Sequence, residues 1–523
     1  MTGSVLPADI FYKYMKMRGE DVIYICGSDE HGTAMEIAAL KKNIPVEHFS
    51  NEMHDKIKKA FEDFEFTFTY YGKTHTDQNQ DVTYSIYNAL SSNGYIIEID
   101  GEHAYCKVDQ RYIPDRFIEG KCPHCGEYAA RGDQCDNCGR LLKPKDIIDP
   151  HCVICNKKEI IFLKTKNLAI DYKKLAPKIL EFVKDNQKNN WSKNSVNKAI
   201  SYIEEGLRPV EITRTIKWGF KVPTAGYKDQ VFYVWFDAPI GYIGITKQWD
   251  DSKWMSYWLN KETKLYQFMG KDNIQFHAIH WPGMLIGSKL GYVLPYCIRA
   301  SEFLIDRQGG KLSKSRGTGI PIDKAAKMFP VDYWRFVLMY IYPETSDSEF
   351  SPEIFSEIVN NILNDKIGNL VHRVFTIAKE NKELIDGEPK IDDSNAGRSK
   401  AIIEKYKEHF SNVELREALR ALVALADLGN SIISAEQPWT LVKKANEEDN
   451  FSKIMKTLLA IVYEIGVLSY PFIPEASAKI LSHFKLDKIP NLKLLEQEIE
   501  FDMGKPTKPL FSKIKKEDLE KFA

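Results

Sequence analysis

Two closely spaced cysteine pairs constrain the fold of this chain more than any other feature. In "CPHCGEYAARGDQCDNCGR" (122–140), Cys122, Cys125, Cys135 and Cys138 form two C-x-x-C knuckles, each followed by a glycine. Each knuckle presents two thiolates to one ion, and four thiolates complete the tetrahedral shell that Zn²⁺ prefers. The pattern therefore predicts a structural zinc site. The alternative is a set of four unbonded structural cysteines.

A third C-x-x-C pair, Cys152 and Cys155, has no partner pair elsewhere in the sequence. A second zinc at this pair would need His124, His151 or a ligand from outside the segment. Six of the nine cysteines lie in such pairs, which is more typical of metal ligands in a reducing cytosol than of a disulfide framework. We therefore expect a cytoplasmic protein.

Length and charge narrow the class of protein. A chain of 523 residues is too long for one core and predicts two to four domains. Lys+Arg 72 against Asp+Glu 73 leaves a formal charge of -1, so a nucleic-acid site must be local. The apolar run "LLAIVYEIGVL" (458–468) is interrupted by Glu464 and is shorter than the ~18 residues that a membrane span needs. We expect neither a membrane partner nor a signal peptide.

Three segments indicate strands of an α/β domain. "EDVIYICGSDEHGT" (20–33), "QVFYVWFDAP" (230–239) and "KLYQFMGKDN" (264–273) each pair an apolar run with a polar or small-residue cluster. Ligands of open α/β sheets bind outside the carboxyl ends of the strands, so chemistry is expected at these clusters. The cysteine-rich stretch and the Lys/Asn-rich region that follows it, up to about 210, lie between them. One α/β domain split by an insertion is the simplest interpretation.

The character of the sequence changes in the last third of the chain. From Ser356 onward apolar residues recur at helical spacing, and strand signals are few. The positions are Ile358, Ile362, Ile367, Leu370, Val374 and Ala378. This pattern predicts a helical bundle.

The segment "RQGGKLSKSRG" (307–317) has two interpretations. On composition alone it is a solvated surface loop. Alternatively it is a phosphate clamp, in which Lys311 and Lys314 supply charge, serine hydroxyls donate, and glycines allow unusual backbone shapes. It is not a P-loop, because the glycine spacing differs.

Together these features resemble a class I aminoacyl-tRNA synthetase, and within that class the methionyl-tRNA synthetase family of the archaeal or eukaryotic-like kind. The resemblance covers essentially the whole chain and is carried by "PADIFYKYMKMRGEDVIYICGSDEHGT", "RGDQCDNCGRLL", "VWFDAPIGYIG", "FMGKDNIQFHAIHWPGML" and "KLSKSRG". It implies a Rossmann-like catalytic domain (1–114 and 215–305) split by a zinc-binding insertion (115–214). A KMSKS-loop region (306–355) and a helical anticodon-binding domain (356–523) would follow.

The resemblance also implies an activity and its residues. The family activates methionine with ATP and Mg²⁺ and transfers it to tRNA(Met). Lys311 and Lys314 would stabilise the triphosphate, with Ser315 and Asp272 also contacting ATP, and Asp29 would bind the methionine ammonium. The methionine side chain would lie among Trp235, Ala238, Pro239, Tyr242 and His277. Singly, each of these has an ordinary structural alternative, such as a core aromatic or a loop cap.

The family reads the CAU anticodon with an Asn-x3-Arg pair and a tryptophan. Asn369 and Arg373 match the pair, one turn apart on a helix, and Trp439 offers a platform for an unstacked base. The alternative for Trp439 is an aromatic packed into the bundle.

The sequence departs from the family pattern at its start. Family members carry a strand, an Asn-Gly turn and the HIGH signature just before the equivalent of Thr2, and Met1 falls after them. We expect either a start codon placed too late, or a fragment or degenerate copy; a truncated, non-catalytic tRNA-binding paralogue and a zinc-module scaffold are the rival functions. The chain as written should form methionyl-adenylate poorly. A monomer is expected, because no oligonucleotide-binding module follows the bundle.

Overall fold

The structure, a computed structural model, describes residues 1–113, 117–128, 130–132, 135, 140, 142–307, 310, 319–444, 446–486 and 489–522. Cys138, Lys311, Lys314 and Ser315 lie outside the described residues. The predicted architecture, an α/β domain split by an insertion and followed by a helical bundle, is confirmed.

The first part of the chain forms a parallel α/β unit. Its elements are α1 Val5–Met17, β1 Ile25–Ser28, α2 Thr33–Lys42, α3 Val46–Asp63, β2 Tyr70–Lys73 and α4 Asp77–Ser92. Strands β1 and β2 pair in parallel, with Ile25 opposite Tyr70. The polar cluster that contains Asp29 follows the carboxyl end of β1, as the sequence pattern predicts.

A long antiparallel hairpin then carries the cysteine-rich insertion. The elements are β3 Ile96–Cys106, β4 Arg111–Tyr112, β5 Ile118–Lys121, β6 Ala130–Arg131, β7 Ile148–Cys152, β8 Ile160–Ile170, α5 Tyr172–Asn186, α6 Lys193–Glu204, β9 Val210–Glu211, β10 Thr213–Arg214 and β11 Val231–Phe232. Strand β3 pairs with β8 from Ile96 opposite Ile170 to Cys106 opposite Ile160. The small sheet β6-β5-β7 lies beyond the tip of this hairpin and holds the cysteine pairs.

The chain then completes the α/β unit. The elements are α7 Val234–Trp249, α8 Trp254–Trp258, β12 Leu265–Gly270, α9 Trp281–Ser288, β13 Pro295–Ser301, β14 Leu304–Ile305, α10 Ile322–Met328, α11 Val331–Tyr340 and β15 Ser348–Glu349. Strands β12 and β13 form a second parallel pair.

The predicted strand at 230–239 is wrong over most of its length. Strand β11 covers only Val231–Phe232, and helix α7 begins at Val234. The helix packs against both α4 and β1 and buries residues around most of its circumference. Its sequence is therefore apolar without a helical period, and such a run cannot be told from a buried strand by periodicity alone.

The C-terminal bundle consists of α12 Pro352–Ile358, α13 Asn369–Glu380, α14 Asp393–Ser411, α15 Leu415–Glu436, α16 Pro438–Leu441, α17 Glu448–Ser469 and α18 Pro474–Leu481. A π-helical stretch, Val359–Gly368, joins α12 to α13. The five-residue step from Ile362 to Ile367 in the apolar pattern falls inside this stretch, where each turn contains an additional residue.

A fully buried arginine joins the α/β unit to the bundle. Arg335 of α11 donates to Asp9 Oδ2 of α1 at 2.6 Å and to the backbone carbonyls of Pro471 and Phe472 beyond α17. Lys13 donates to both oxygens of the same carboxylate. The two cations compensate the charge of Asp9, whose pKa is lowered although burial alone would raise it.

Among the described residues, one helical stretch, Leu415–Leu441, is long and apolar enough to cross a membrane by length and composition. Of its apolar window, 61% is buried inside the protein. The apolar side of α15 contributes to the same core as α13 and α17, which accounts for its composition.

Candidate functional site

The Asp29 loop and helix α7 meet at the carboxyl ends of the strands. Asp29 opens onto solvent but lies in a recess of the protein surface. Burial against the surrounding protein, and then the negative charge of Asp237, raise the pKa of Asp29. A carboxylate held in this way is stabilised by an approaching cation.

The residues predicted to form the methionine side-chain slot lie on α7 and on the turn before α9, and one of them, Tyr242, interacts electrostatically with Asp29. Trp235, which is 37% exposed, stacks on Phe276 with ring centroids 3.8 Å apart and an interplanar angle of 11°. Tyr242 Oη lies 2.8 Å from His277 Nε2. Of the remaining predicted slot residues, Pro239 is buried within α7 and Ala238 is partly exposed.

The tautomer of His277 follows from its contacts. Its Nδ1 lies 3.1 Å from the backbone carbonyl oxygen of Asn273, an atom that can only accept. The proton is therefore assigned to Nδ1, and Nε2 accepts from the Tyr242 hydroxyl. Burial lowers the pKa of His277, which favours this neutral form.

The backbone that presents His277 is unusual. Phe276–His280 forms a π-helical turn between β12 and α9. Turns of this kind are rare and occur frequently at functional sites. Just before it, Asp272 lies exposed on a short 3₁₀ turn, and a Cβ atom at Gly270 would lie 2.6 Å from Asp272 Oδ1. A side chain at position 270 would therefore displace the Asp272 carboxylate from its present position.

Within the 307–317 segment the structure describes Arg307 and Gly310. The backbone N–H of Gly310 donates to Asp306 Oδ1, and that of Asp306 donates to the Gly310 carbonyl oxygen, both at 2.8 Å. Arg307 pairs with Glu353 of α12 at 2.9 Å. Outside the described residues lie the three predicted triphosphate contacts, Lys311, Lys314 and Ser315.

Two groups of metal-ligating side chains occupy the insertion. In the first, the sulfur atoms of Cys122, Cys125 and Cys135 lie within 4.8 Å of one another. The Sγ atoms of Cys125 and Cys135 are 3.7 Å apart, so the two knuckles converge. The fourth predicted ligand, Cys138, is outside the described residues.

The second group completes the pair Cys152 and Cys155 with two side chains that the sequence analysis missed. Cys106 at the end of β3 and Asp109 in the following turn place their ligand atoms within 4.8 Å of the pair. Cys106 Sγ lies 3.6 Å from Cys155 Sγ, and Cys152 Sγ lies 3.2 Å from Asp109 Oδ2. The signal was present in the sequence, since C-x-x-D has the same spacing as C-x-x-C.

The turns after Cys125 and Cys155 share a left-handed backbone residue. Gly126 follows Cys125 with φ 78°, and Asn156 follows Cys155 with φ 56°. Both residues turn the chain so that the first cysteine of each pair accepts a backbone hydrogen bond, at 3.0 Å in Cys122 and 2.8 Å in Cys152. Glycine and asparagine are the residues that most readily adopt this left-handed conformation.

The predicted anticodon-contacting residues come together on the bundle surface. The Arg373 guanidinium lies 5.2 Å from the ring centroid of Trp439, and Asn369 is exposed one turn before Arg373 on α13. Trp439 is 39% exposed, which argues against packing in the core. Gln437 takes a left-handed conformation (φ 41°) between α15 and α16, and Pro438 starts the new helix, so the turn projects Trp439 from the bundle.

Comparisons with known proteins agree with both parts of the chain. Residues 1–375 match the family model described as tRNA synthetases class I (M), and residues 392–523 match the one described as the anticodon binding domain of methionyl tRNA ligase. The methionine–tRNA ligase of Pyrobaculum aerophilum is 36% identical over 531 residues, covering 99% of this chain and 92% of the relative. That of Streptomyces avermitilis is 35% identical over 554 residues, covering 100% and 95%.

A solved structure agrees at the level of the fold. Mycobacterium tuberculosis methionyl-tRNA synthetase bound by methionyl-adenylate matches with a TM-score of 0.79 at 23% identity, covering 97% of this chain and 95% of that one.

Proposed function

Since the chain belongs to the class I tRNA synthetases of the methionyl type, we propose that it activates methionine with ATP and transfers it to tRNA(Met). The observation that supports this proposal is the contact between the Asp29 loop and α7, the helix that carries Trp235 and Tyr242. An amino acid would place its ammonium group on Asp29 and its side chain against these aromatic rings.

The slot suits a thioether. Sulfur is polarisable and makes favourable contacts with aromatic rings, and two of the slot residues are large aromatics. The Tyr242 hydroxyl is directed to His277 and not left unpaired, so the wall of the slot has a fixed shape. Fixed walls matter because an apolar slot alone discriminates by only ~1 to 3 kcal/mol per methylene.

Activation requires the methionine carboxylate to attack the α-phosphorus of ATP and pyrophosphate to leave. We propose that Asp272 contacts the ATP ribose and that Lys311, Lys314 and Ser315 contact the triphosphate. Preorganised charges at such sites stabilise the charge that develops on the phosphate oxygens. Mg²⁺ bound with ATP supplies further charge neutralisation. In the second step a ribose hydroxyl at the 3′ end of the tRNA attacks the methionyl carbonyl carbon, and AMP leaves.

We propose that the insertion holds two structural zinc ions. Cys122, Cys125, Cys135 and Cys138 would bind one, and Cys106, Asp109, Cys152 and Cys155 the other; the three thiolates of each group that are described support the choice of metal. Four protein ligands close the shell of each ion, so neither site would take part in the reaction.

We propose that Asn369, Arg373 and Trp439 bind the CAU anticodon. The exposed ring beside a guanidinium supports this role, because unstacked bases are recognised by stacking on aromatic and arginine planes. The domain limits given by the sequence (1–114, 115–214, 215–305, 306–355 and 356–523), a cytoplasmic location and a monomeric state belong to the same proposal.

Charging of a CAU transcript with labelled methionine tests the proposal. We expect charging of the CAU transcript by the full chain, and strong loss with a transcript whose anticodon is changed. The matched control is an elongator transcript for a different amino acid with the same acceptor-stem length. Binding of the CAU transcript without charging would instead favour the non-catalytic tRNA-binding alternative.

A further inference from the structure

A buried histidine joins the two halves of the proposed methionine site. His31 Nδ1 lies 2.5 Å from Asp237 Oδ2, although the two residues are 206 positions apart. Their side chains are 1% and 0% exposed. His31 lies two residues after Asp29, and Asp237 lies on α7 between Trp235 and Ala238.

The second nitrogen of His31 is also engaged. His31 Nε2 lies 2.7 Å from His75 Nδ1, in the loop after β2. A protonated His31 satisfies both contacts, because it donates from Nδ1 to the carboxylate and from Nε2 to a neutral His75. The pKa shifts agree with this assignment. Burial alone would lower the pKa of His31, but Asp237, Asp29 and Glu30 together raise it, while burial and the His31 charge lower the pKa of His75.

The residue between Asp29 and His31 fixes the loop to the other side of the site. Glu30 is 1% exposed and accepts from the Ser50 hydroxyl at 2.9 Å and from the His75 backbone N–H at 3.1 Å. Its carbonyl oxygen accepts from Trp218 Nε1 at 2.6 Å. The loop that follows Asp29 is therefore fixed by several contacts, and of these only the His31–Asp237 contact reaches α7.

We propose that His31 and Asp237 are positioning residues, whose ion pair sets the distance between the ammonium-binding Asp29 and the side-chain slot on α7. The proposal rests on the function proposed above. Neither residue needs to touch methionine, because both act through the loop and the helix that they connect. A fixed distance between the ammonium site and the slot would select the length of the bound amino acid.

The pair also acts on the charge of Asp29. The groups that face Asp29 and His31 are Glu30 in the same loop, His75 after β2, and Asp237 and Tyr242 on α7. Among them, His31 lowers the pKa of Asp29, while Asp237 and Glu30 raise it. Loss of the His31 charge should therefore make Asp29 easier to protonate and methionine binding weaker at neutral pH.

The test is equilibrium methionine binding by the full chain, followed by intrinsic tryptophan fluorescence between pH 6 and 9. We compare wild type with His31→Asn, Asp237→Asn and the double variant. Asparagine keeps a short donor at position 31 and the carboxylate shape at position 237 but removes each charge. His483→Asn, a buried histidine of the bundle, is the matched control, and zinc content with circular dichroism establishes that each variant is folded.

We expect each single variant to bind methionine at least tenfold more weakly, and the double variant to bind no more weakly than the worse single one, because the two residues act as one unit. The loss of affinity at low pH should move to higher pH in His31→Asn and should not do so in Asp237→Asn. The control should bind like wild type.

A uniform weakening of binding at every pH, or additive losses in the double variant, would assign His31 a packing role and overturn the proposal. Pyrophosphate exchange distinguishes failure of the proposed activity from failure of the positioning role. If exchange is absent but the His31 and Asp237 variants weaken methionine binding as expected, only the proposed activity is contradicted. If exchange is normal but these variants bind methionine like wild type, only the positioning role is contradicted. A wild-type chain that binds no methionine contradicts both.

Discussion

Replacement of Trp439 with alanine separates the two ends of the molecule. The ring is 39% exposed and carries the Arg373 guanidinium 5.2 Å from its centroid, so it is available to a base and already part of a cationic surface. Stacking of one base on an aromatic side chain contributes ~1 to 3 kcal/mol. At 1.4 kcal/mol for each factor of ten, the dissociation constant for a CAU anticodon stem-loop should rise about 5- to 150-fold.

The assay is fluorescence anisotropy with a labelled stem-loop, which does not depend on catalysis. Val442→Ala is the matched control, because Val442 is 38% exposed and follows in the same segment without a bulky ring to stack on. Methionine binding should stay unchanged in both variants. Equal weakening of stem-loop and methionine binding by Trp439→Ala, with a lowered unfolding temperature, would show that the ring is a packing residue and refute the reasoning.

Three further predictions concern the rest of the molecule. Metal analysis should find two zinc ions per folded chain, falling to one in Cys106→Ala, because that thiolate belongs to only one of the two ligand groups; an unchanged count would contradict the second site. Tyr242→Phe removes the donor to His277 Nε2, a hydrogen bond that contributes ~1 kcal/mol, so methionine affinity should fall several-fold while ATP affinity stays constant in equilibrium binding. Asp9→Asn leaves Lys13 and Arg335 buried without their carboxylate and should cost ~3 to 5 kcal/mol in the unfolding free energy; in the same urea titration the exposed-pair variant Asp63→Asn should change little.

The fold, and a set of candidate site residues at defined places in it, could be predicted from the sequence because the motifs have short, defined spacings. Asp29 and Asp272 could be located at strand ends from apolar runs followed by polar clusters. Arg373 and Trp439 could be associated only through the family resemblance, since 66 residues and two helices separate them. Their contact depends on the left-handed turn at Gln437, which no local sequence signal predicts.

Other features could be recognised only in the folded structure. The sequence predicts a strand over 230–239, where the first turns of α7 form instead, because burial on most sides removes the helical period. Cys106 and Asp109 join the second metal group only because β3 and β8 pair along their whole length and bring the two hairpin ends together. The His31–Asp237 pair could not be predicted either, because only the tertiary fold brings the two residues together and nothing in "DEHGT" indicates a partner on α7.

Methionine-dependent exchange between ATP and labelled pyrophosphate tests the central claim most directly. It should be measured on the full chain, with leucine and isoleucine as matched amino acids. We predict exchange that requires methionine. Exchange without preference for methionine, or no exchange at all, would contradict the account.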